Sequence, residues 1–110
     1  MNSDELAQRS CQPCEKGTPA MSSQQIAEYS SATPEWKVKE GKRIQCRFDF
    51  PDFQSALALV NRVGQVAEAE GHHPNINFTW GKVDISVWTH VMDGLSENDF
   101  ILAAKIDRVV

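Results

Sequence analysis

The chain has little cysteine, little glycine and a single tyrosine: three Cys, six Gly and one Tyr among 110 residues. Cys11, Cys14 and Cys46 are an odd number of thiols, and the first twenty residues hold no apolar stretch of the kind an export signal needs. A disulfide framework is therefore not expected, and a reducing compartment, the cytoplasm, is. Positive charge is also scarce. Eleven Lys and Arg stand against fifteen Asp and Glu, a net charge of −4, which excludes a protein that works by neutralising nucleic-acid phosphates over a broad surface. Long apolar runs are missing as well: Ala56–Val60 and Phe100–Ala104 fall far short of the roughly 18–20 residues of a membrane crossing. What remains is ordinary globular composition, 41% hydrophobic and 24% charged, in a chain long enough for one domain.

Residues 1–20 are polar, carry Pro13, Gly17 and Pro19, and show no sustained period, so they read as an irregular N-terminal arm ahead of a domain over 21–110. Ser22 with Gln25 forms a capping box, and Met21 with Ile26 a hydrophobic staple, which predicts a short helix to about Tyr29. Trp36 and Val38 alternate with Lys37 and Lys39. After Gly41, Ile44, Cys46, Phe48 and Phe50 alternate with Arg43, Gln45, Arg47 and Asp49, so the two runs predict a hairpin with one buried face. Asp52 then caps a helical pattern of Phe53, Ala56, Leu57, Val60, Val63 and Ala67 that Gly71 ends. Ile76, Phe78 and Trp80, then Val83, Ile85 and Val87, alternate on either side of Gly81-Lys82, a second hairpin. Ser96 and Asp99 make a capping box ahead of a closing helix. The order α-β-β-α-β-β-α fits an α+β fold, a four-stranded antiparallel sheet with helices packed on one face.

All three histidines, His72, His73 and His90, fall at the ends of elements. His72-His73-Pro74 follows the Gly that ends the main helix, and His90 lies just past the last strand. Pairing about the Gly81-Lys82 turn brings the outer ends of these strands together, so the three imidazoles are expected to line one pocket. Imidazole titrates near about pH 6.5, which suits one ring to donate a proton while another accepts. Three imidazoles with an open position would also suit zinc. Consecutive residues rarely aim both rings at one ion, however, so no metal and no cofactor is assigned. Cys11-x-x-Cys14 is half of a zinc or redox motif without its second half, and reads as reduced thiols on a mobile arm.

Glu68-Ala-Glu70-Gly71-His72-His73-Pro74, then Trp80, Lys82-Val83 and Trp88-Thr89-His90, then Gly94-Leu95-Ser96-Glu97-Asn98-Asp99, strongly resembles the pterin-4a-carbinolamine dehydratases. The resemblance runs from about Met21 to Val109, and the arm is similar to an extension of some bacterial members. It implies dehydration of 4a-hydroxytetrahydrobiopterin to quinonoid dihydropterin and water without metal, which recycles the pterin of an aromatic amino acid hydroxylase. By the same resemblance, His72 and His90 are acid–base candidates and His73 mainly holds the pterin. Asp99 orients or tunes an imidazole, a role its capping box does not exclude. Glu68, Pro74 and Thr89 are implied in substrate binding, with the backbone from Trp88 to Val91 along the pterin. The chain departs from many members at Ile76, where they carry an aromatic, and at Gly71, where they carry an acid.

Relatives of this kind form homodimers by extending the sheet, and some form homotetramers, so a homo-oligomer is implied. No nucleic acid or membrane partner is. A competing reading is a non-catalytic dimerisation, regulatory or assembly-factor role on the same fold. Three clustered imidazoles argue for catalysis, because a pure scaffold has no physical need of them. A small metal-dependent hydrolase is a third possibility.

Overall fold

The computed structural model describes all 110 residues. Its elements are α1 (Ser3–Gln8), α2 (Ser23–Ser31), β1 (Lys37–Lys39), β2 (Arg43–Asp49), α3 (Phe53–Glu70), β3 (Asn75–Thr79), β4 (Lys82–Val87), a 3-10 turn (His90–Met92) and α4 (Glu97–Asp107). The four strands form one antiparallel sheet in the order β1-β2-β4-β3. This is the expected α+β architecture, with two elements more than the sequence signals, α1 and the 3-10 turn.

Alternation decides which face of the sheet is covered. In the β2–β4 pairing, Ile44 lies opposite Val87, Cys46 opposite Ile85 and Phe48 opposite Val83, and these side chains join the core. The intervening Gln45, Arg47, Asp84 and Ser86 face the other way and stay at least partly exposed. Helix α3 sets Ala56, Leu59, Val63 and Ala67 into the core. Its caps follow from sequence: the Asp52 carboxylate accepts from Ser55 N–H at 2.7 Å, and Gly71 closes the helix at φ 64°, a left-handed conformation that costs glycine least. Helix α4 is buried almost all round, from Asn98 to Ala104 and again at Ile106, so it is the central element of the helical layer. No helix is long and apolar enough to cross a membrane.

The arm is not irregular throughout. Asn2 caps α1 by accepting from Glu5 N–H at 2.9 Å, and Asp4 and Glu5 lie in the first turn, where negative charge favours a helix. Six residues are too few to display a period, which is why no pattern announces this helix. Its apolar anchor is Leu6, fully buried in the common core. Polar groups tie α1 to α4: Lys105 Nζ donates to the Ala7 carbonyl at 2.7 Å, and Arg108 pairs with Asp4.

Trp36, expected to begin the first strand, instead precedes it, buried, with its indole N–H donating to Asp107 at 3.0 Å. Burial pushes the Asp107 carboxyl above its ordinary value and Glu35 adds to the rise, while the Trp36 hydrogen bond and Arg108 oppose it. The folded protein thus holds this proton more tightly than the unfolded chain does, and stability falls as pH rises through the elevated native pKa.

Two outcomes are expected. Leu6→Ala removes a fully enclosed side chain and should lower the unfolding free energy by about 2–4 kcal/mol in urea titrations; a loss below about 0.5 kcal/mol would mean that α1 is not docked. Asp107→Asn keeps an acceptor for Trp36 but cannot ionise. The variant should melt higher than wild type at pH 7, with the gap closing towards about pH 4; an unchanged gap would sink the assignment.

Candidate functional site

Four pieces of chain converge at the end of the sheet where β3 begins and β4 ends. The left-handed Gly71 turns the chain out of α3 and delivers His72 and His73 at once, the His72 amide bonding back to the Ala67 carbonyl at 3.3 Å. Beyond β4, Thr89 and Gly94 form an isolated antiparallel bridge that pinches off the 3-10 turn carrying His90. Asp93 completes that turn at φ 47°, in the left-handed region. The first turn of α4 and residues 11–14 of the arm close the rest.

Together they enclose a cavity of about 500 Å3 that His72, His73 and His90 all line, with Trp88, Thr89 and Glu70. A volume of this order suits a small heterocycle. The His90 ring lies against Trp88, centroids 4.6 Å apart at an interplanar angle of 41°. His72 and His73 do not aim alike. His72 Nε2 lies 2.6 Å from Asp99 Oδ1 and is mostly buried, whereas His73 Nε2 lies 2.7 Å from Glu68 Oε2 at the surface. No three His, Cys, Asp or Glu side chains come together as metal ligands.

Asp99 is itself fully buried and stands behind the cavity, off its lining. Its second oxygen accepts from Thr89 Oγ1 at 2.9 Å and from Ser96 N–H at 2.9 Å, the latter completing the capping box of α4. One carboxyl therefore does both things the sequence suggests, capping the helix and holding an imidazole. The hydrogen bond to Asp99 as acceptor puts the His72 proton on Nε2 and leaves Nδ1 as the unengaged ring nitrogen.

Among the remaining candidates, Thr89 lines the cavity, but Pro74 and Glu68 do not. Pro74 fixes the backbone entering β3, and the mostly exposed Glu68 reaches the site only through His73. The acid that does line the cavity is Glu70, two residues on in α3. It is largely buried, accepts from Cys11 N–H at 2.9 Å and pairs with Lys105 at 3.7 Å.

Sequence reasoning missed the wall made by Cys11, Gln12, Pro13 and Cys14. These residues are not on a mobile arm but docked on α4. Asn98, 7% exposed, accepts from Gln12 N–H at 2.9 Å and donates to the Gln12 carbonyl and to Cys14 Sγ at 3.3 Å. Burial and the neighbouring Glu70 push the Cys11 thiol up to about 12, and burial raises Cys46 to about 11. All three cysteines are unpaired. The only signal for this wall was the unabsorbed Cys11-x-x-Cys14 spacing.

Comparison with known proteins agrees with the geometry. The family model described as "Pterin 4 alpha carbinolamine dehydratase" matches residues 19–109. A protein of Alkaliphilus metalliredigens named "Putative pterin-4-alpha-carbinolamine dehydratase" is 48% identical over 104 residues, covering 94% of each chain. One of the same name in Rubrobacter xylanophilus is 43% identical over 105 residues, covering 96% of this chain and 98% of that one. Among solved structures, a transcriptional coactivator/pterin dehydratase from Brucella melitensis superposes with a TM-score of 0.77 at 26% identity, over 82% of this chain and 97% of the other. A pterin dehydratase-like protein described as a RuBisCO assembly factor in the alpha-carboxysome superposes with a TM-score of 0.58 at 25% identity, over 68% and 88%. From the fold, the histidine-lined cavity and a match over most of its length, this chain belongs to the pterin-4-alpha-carbinolamine dehydratase family.

Proposed function

We propose that the chain dehydrates a 4a-hydroxytetrahydropterin, such as 4a-hydroxytetrahydrobiopterin, to the quinonoid dihydropterin and water by histidine acid–base catalysis. The observation that carries this reading is the convergence of His72, His73 and His90 on one cavity, with His72 oriented from behind by Asp99. Loss of hydroxide from C4a is slow because hydroxide leaves poorly. A protonated imidazole gives its proton to the 4a-oxygen, the C4a–O bond breaks, and the oxygen departs as water. A second imidazole takes the proton from N5, whose electron pair completes the C4a=N5 double bond. One proton goes out with the water and one comes in from N5, so the pair of rings is restored by a proton exchange between them or with solvent. Help of this kind is typically worth about 10²- to 10⁴-fold.

His72 and His90 are the acid–base pair in this reading. His72 works through Nδ1, since Nε2 is committed to Asp99, and His90 sits on the Trp88 ring. His73, held at the surface by Glu68, contributes to binding. The substrate implies supply by an aromatic amino acid hydroxylase, and the unpaired cysteines suit a reducing cytoplasm. The strands β1 and β3 have unpaired edges, which suit a homodimer or homotetramer built by sheet extension. A binding or assembly role on the same fold has its support in the two solved neighbours, whose descriptions include a coactivator and an assembly factor.

Rapid-mixing measurement of carbinolamine breakdown separates these readings. His72→Ala and His90→Ala should each lower kcat by about a hundredfold or more, and His73→Ala should chiefly raise KM. Unchanged rates in all three would leave only the binding role. Asp99→Asn retains one acceptor oxygen but offers an amide group in place of the other, so either His72 loses its acceptor or the Ser96 N–H and Thr89 do, and the buried network that orients His72 is broken in both cases. Its kcat should fall about tenfold or more with KM within about threefold; a change in KM alone would count against the orienting role.

A further inference from the structure

We propose that residues 11–14 of the arm contact the bound pterin directly, as a wall of its cavity, and that Asn98 is the positioning residue that sets this wall. The inference rests on the dehydratase reading and extends it to a segment outside the histidine loops.

The anchoring of the arm comes in two separable parts. Leu6 and the Lys105–Ala7 contact fix α1, whose residues are not part of the cavity lining. The cavity-lining stretch has its own anchors, Glu70 on the Cys11 N–H and Asn98 on Gln12, of which only Glu70 is linked to α1, through Lys105. Asn98 satisfies both backbone polar groups of Gln12 at once, as a neighbouring β-strand would. It also donates to Cys14 Sγ, while its own carbonyl lies 3.6 Å from Cys11 Sγ. Each polar group of a buried amide is thus directed at the arm, a costly arrangement unless every partner is kept. Pro13 follows, with no N–H that would need a partner inside the cavity.

Asn98 is adjacent in sequence to Asp99, which orients His72. One helical turn therefore references two walls of the same cavity, the imidazole wall through Asp99 and the arm wall through Asn98. Glu70 repeats the coupling from α3, holding the Cys11 amide one residue before the turn that launches His72. Beside Gln12, the arm presents proline and two small sulfur-bearing side chains, which suit packing on the face of a flat ring.

Cys14 supplies the probe. Cys11 and Cys46 are held protonated by pKa values of about 12 and 11, so iodoacetamide at about pH 8, with peptide mapping, reads the half-exposed Cys14. In wild type, saturating 7,8-dihydrobiopterin should slow Cys14 alkylation at least about fivefold. Asn98→Ala should speed alkylation of the free protein, abolish most of that protection and raise KM about tenfold with kcat within about twofold. Because Asn98 is buried, Gln12→Pro provides a second variant: it deletes the N–H that Asn98 accepts while leaving α4 untouched, and should show the same KM-only effect. Unprotected Cys14 in a wild type that turns over substrate, or an unmoved KM in a folded variant, would overturn the inference alone. A wild type that neither binds dihydrobiopterin nor dehydrates the carbinolamine would remove the dehydratase reading, and this inference with it.

Discussion

A fully buried carboxyl group has to find partners, and that of Asp99 finds them on three different pieces of chain: His72 after α3, Thr89 after β4 and Ser96 at the start of α4. The cost of stripping water from such a group is several kcal/mol, which only well-formed hydrogen bonds offset. The cavity is assembled around that requirement. Satisfying Asp99 pulls the end of the main helix, the end of the last strand and the beginning of the closing helix to one point. Those are the segments that carry the imidazoles and the residues beside them. The order of the cavity and the order of the fold thus share a cause, since the contacts that orient His72 are among those that seat α4.

The middle of helix α4, from Phe100 to Ala104, has to be apolar for this to work. It packs between the helices and serves as the floor on which the arm, the histidine loop and the strand end are all registered. The first turn of α4 is polar instead. Glu97, Asn98 and Asp99 are consecutive polar residues, and each holds a different segment: Glu97 takes Arg9 and Tyr29, Asn98 takes Gln12, Asp99 takes His72 and Thr89. A helix start naturally leaves free N–H groups and favours acids, so the place where α4 would be polar for capping reasons is also where it does its organising.

Much of this could be read from the chain alone. Both hairpins, the eighteen-residue α3 and the two capping boxes follow from alternation, helical spacing and short-range polar pairs, because those signals arise within a few residues of one another. The gathering of the three histidines also follows, from element ends and one hairpin turn. What could not be read is the arm. Helix α1 is shorter than two turns and has one buried apolar side chain. The docking of Gln12 runs through backbone amides to a residue 86 positions away. No residue type announces such a contact, since any amino acid but proline would offer the same N–H. For the same reason the roles of Glu68 and Glu70 were interchangeable in the sequence. Only the helical phase of α3, fixed by packing, decides which of them faces the cavity.

The arm wall has a consequence for biosynthesis. Residues 11–14 are synthesised before the groups that seat them, which lie at the last turn of α3 and around the start of α4. The cavity therefore cannot be completed until α4 has been made, even though α3 and both hairpins precede it in the chain. Closure of this wall thus joins two segments separated by 86 positions of synthesis, with α4 collecting a stretch made well before it.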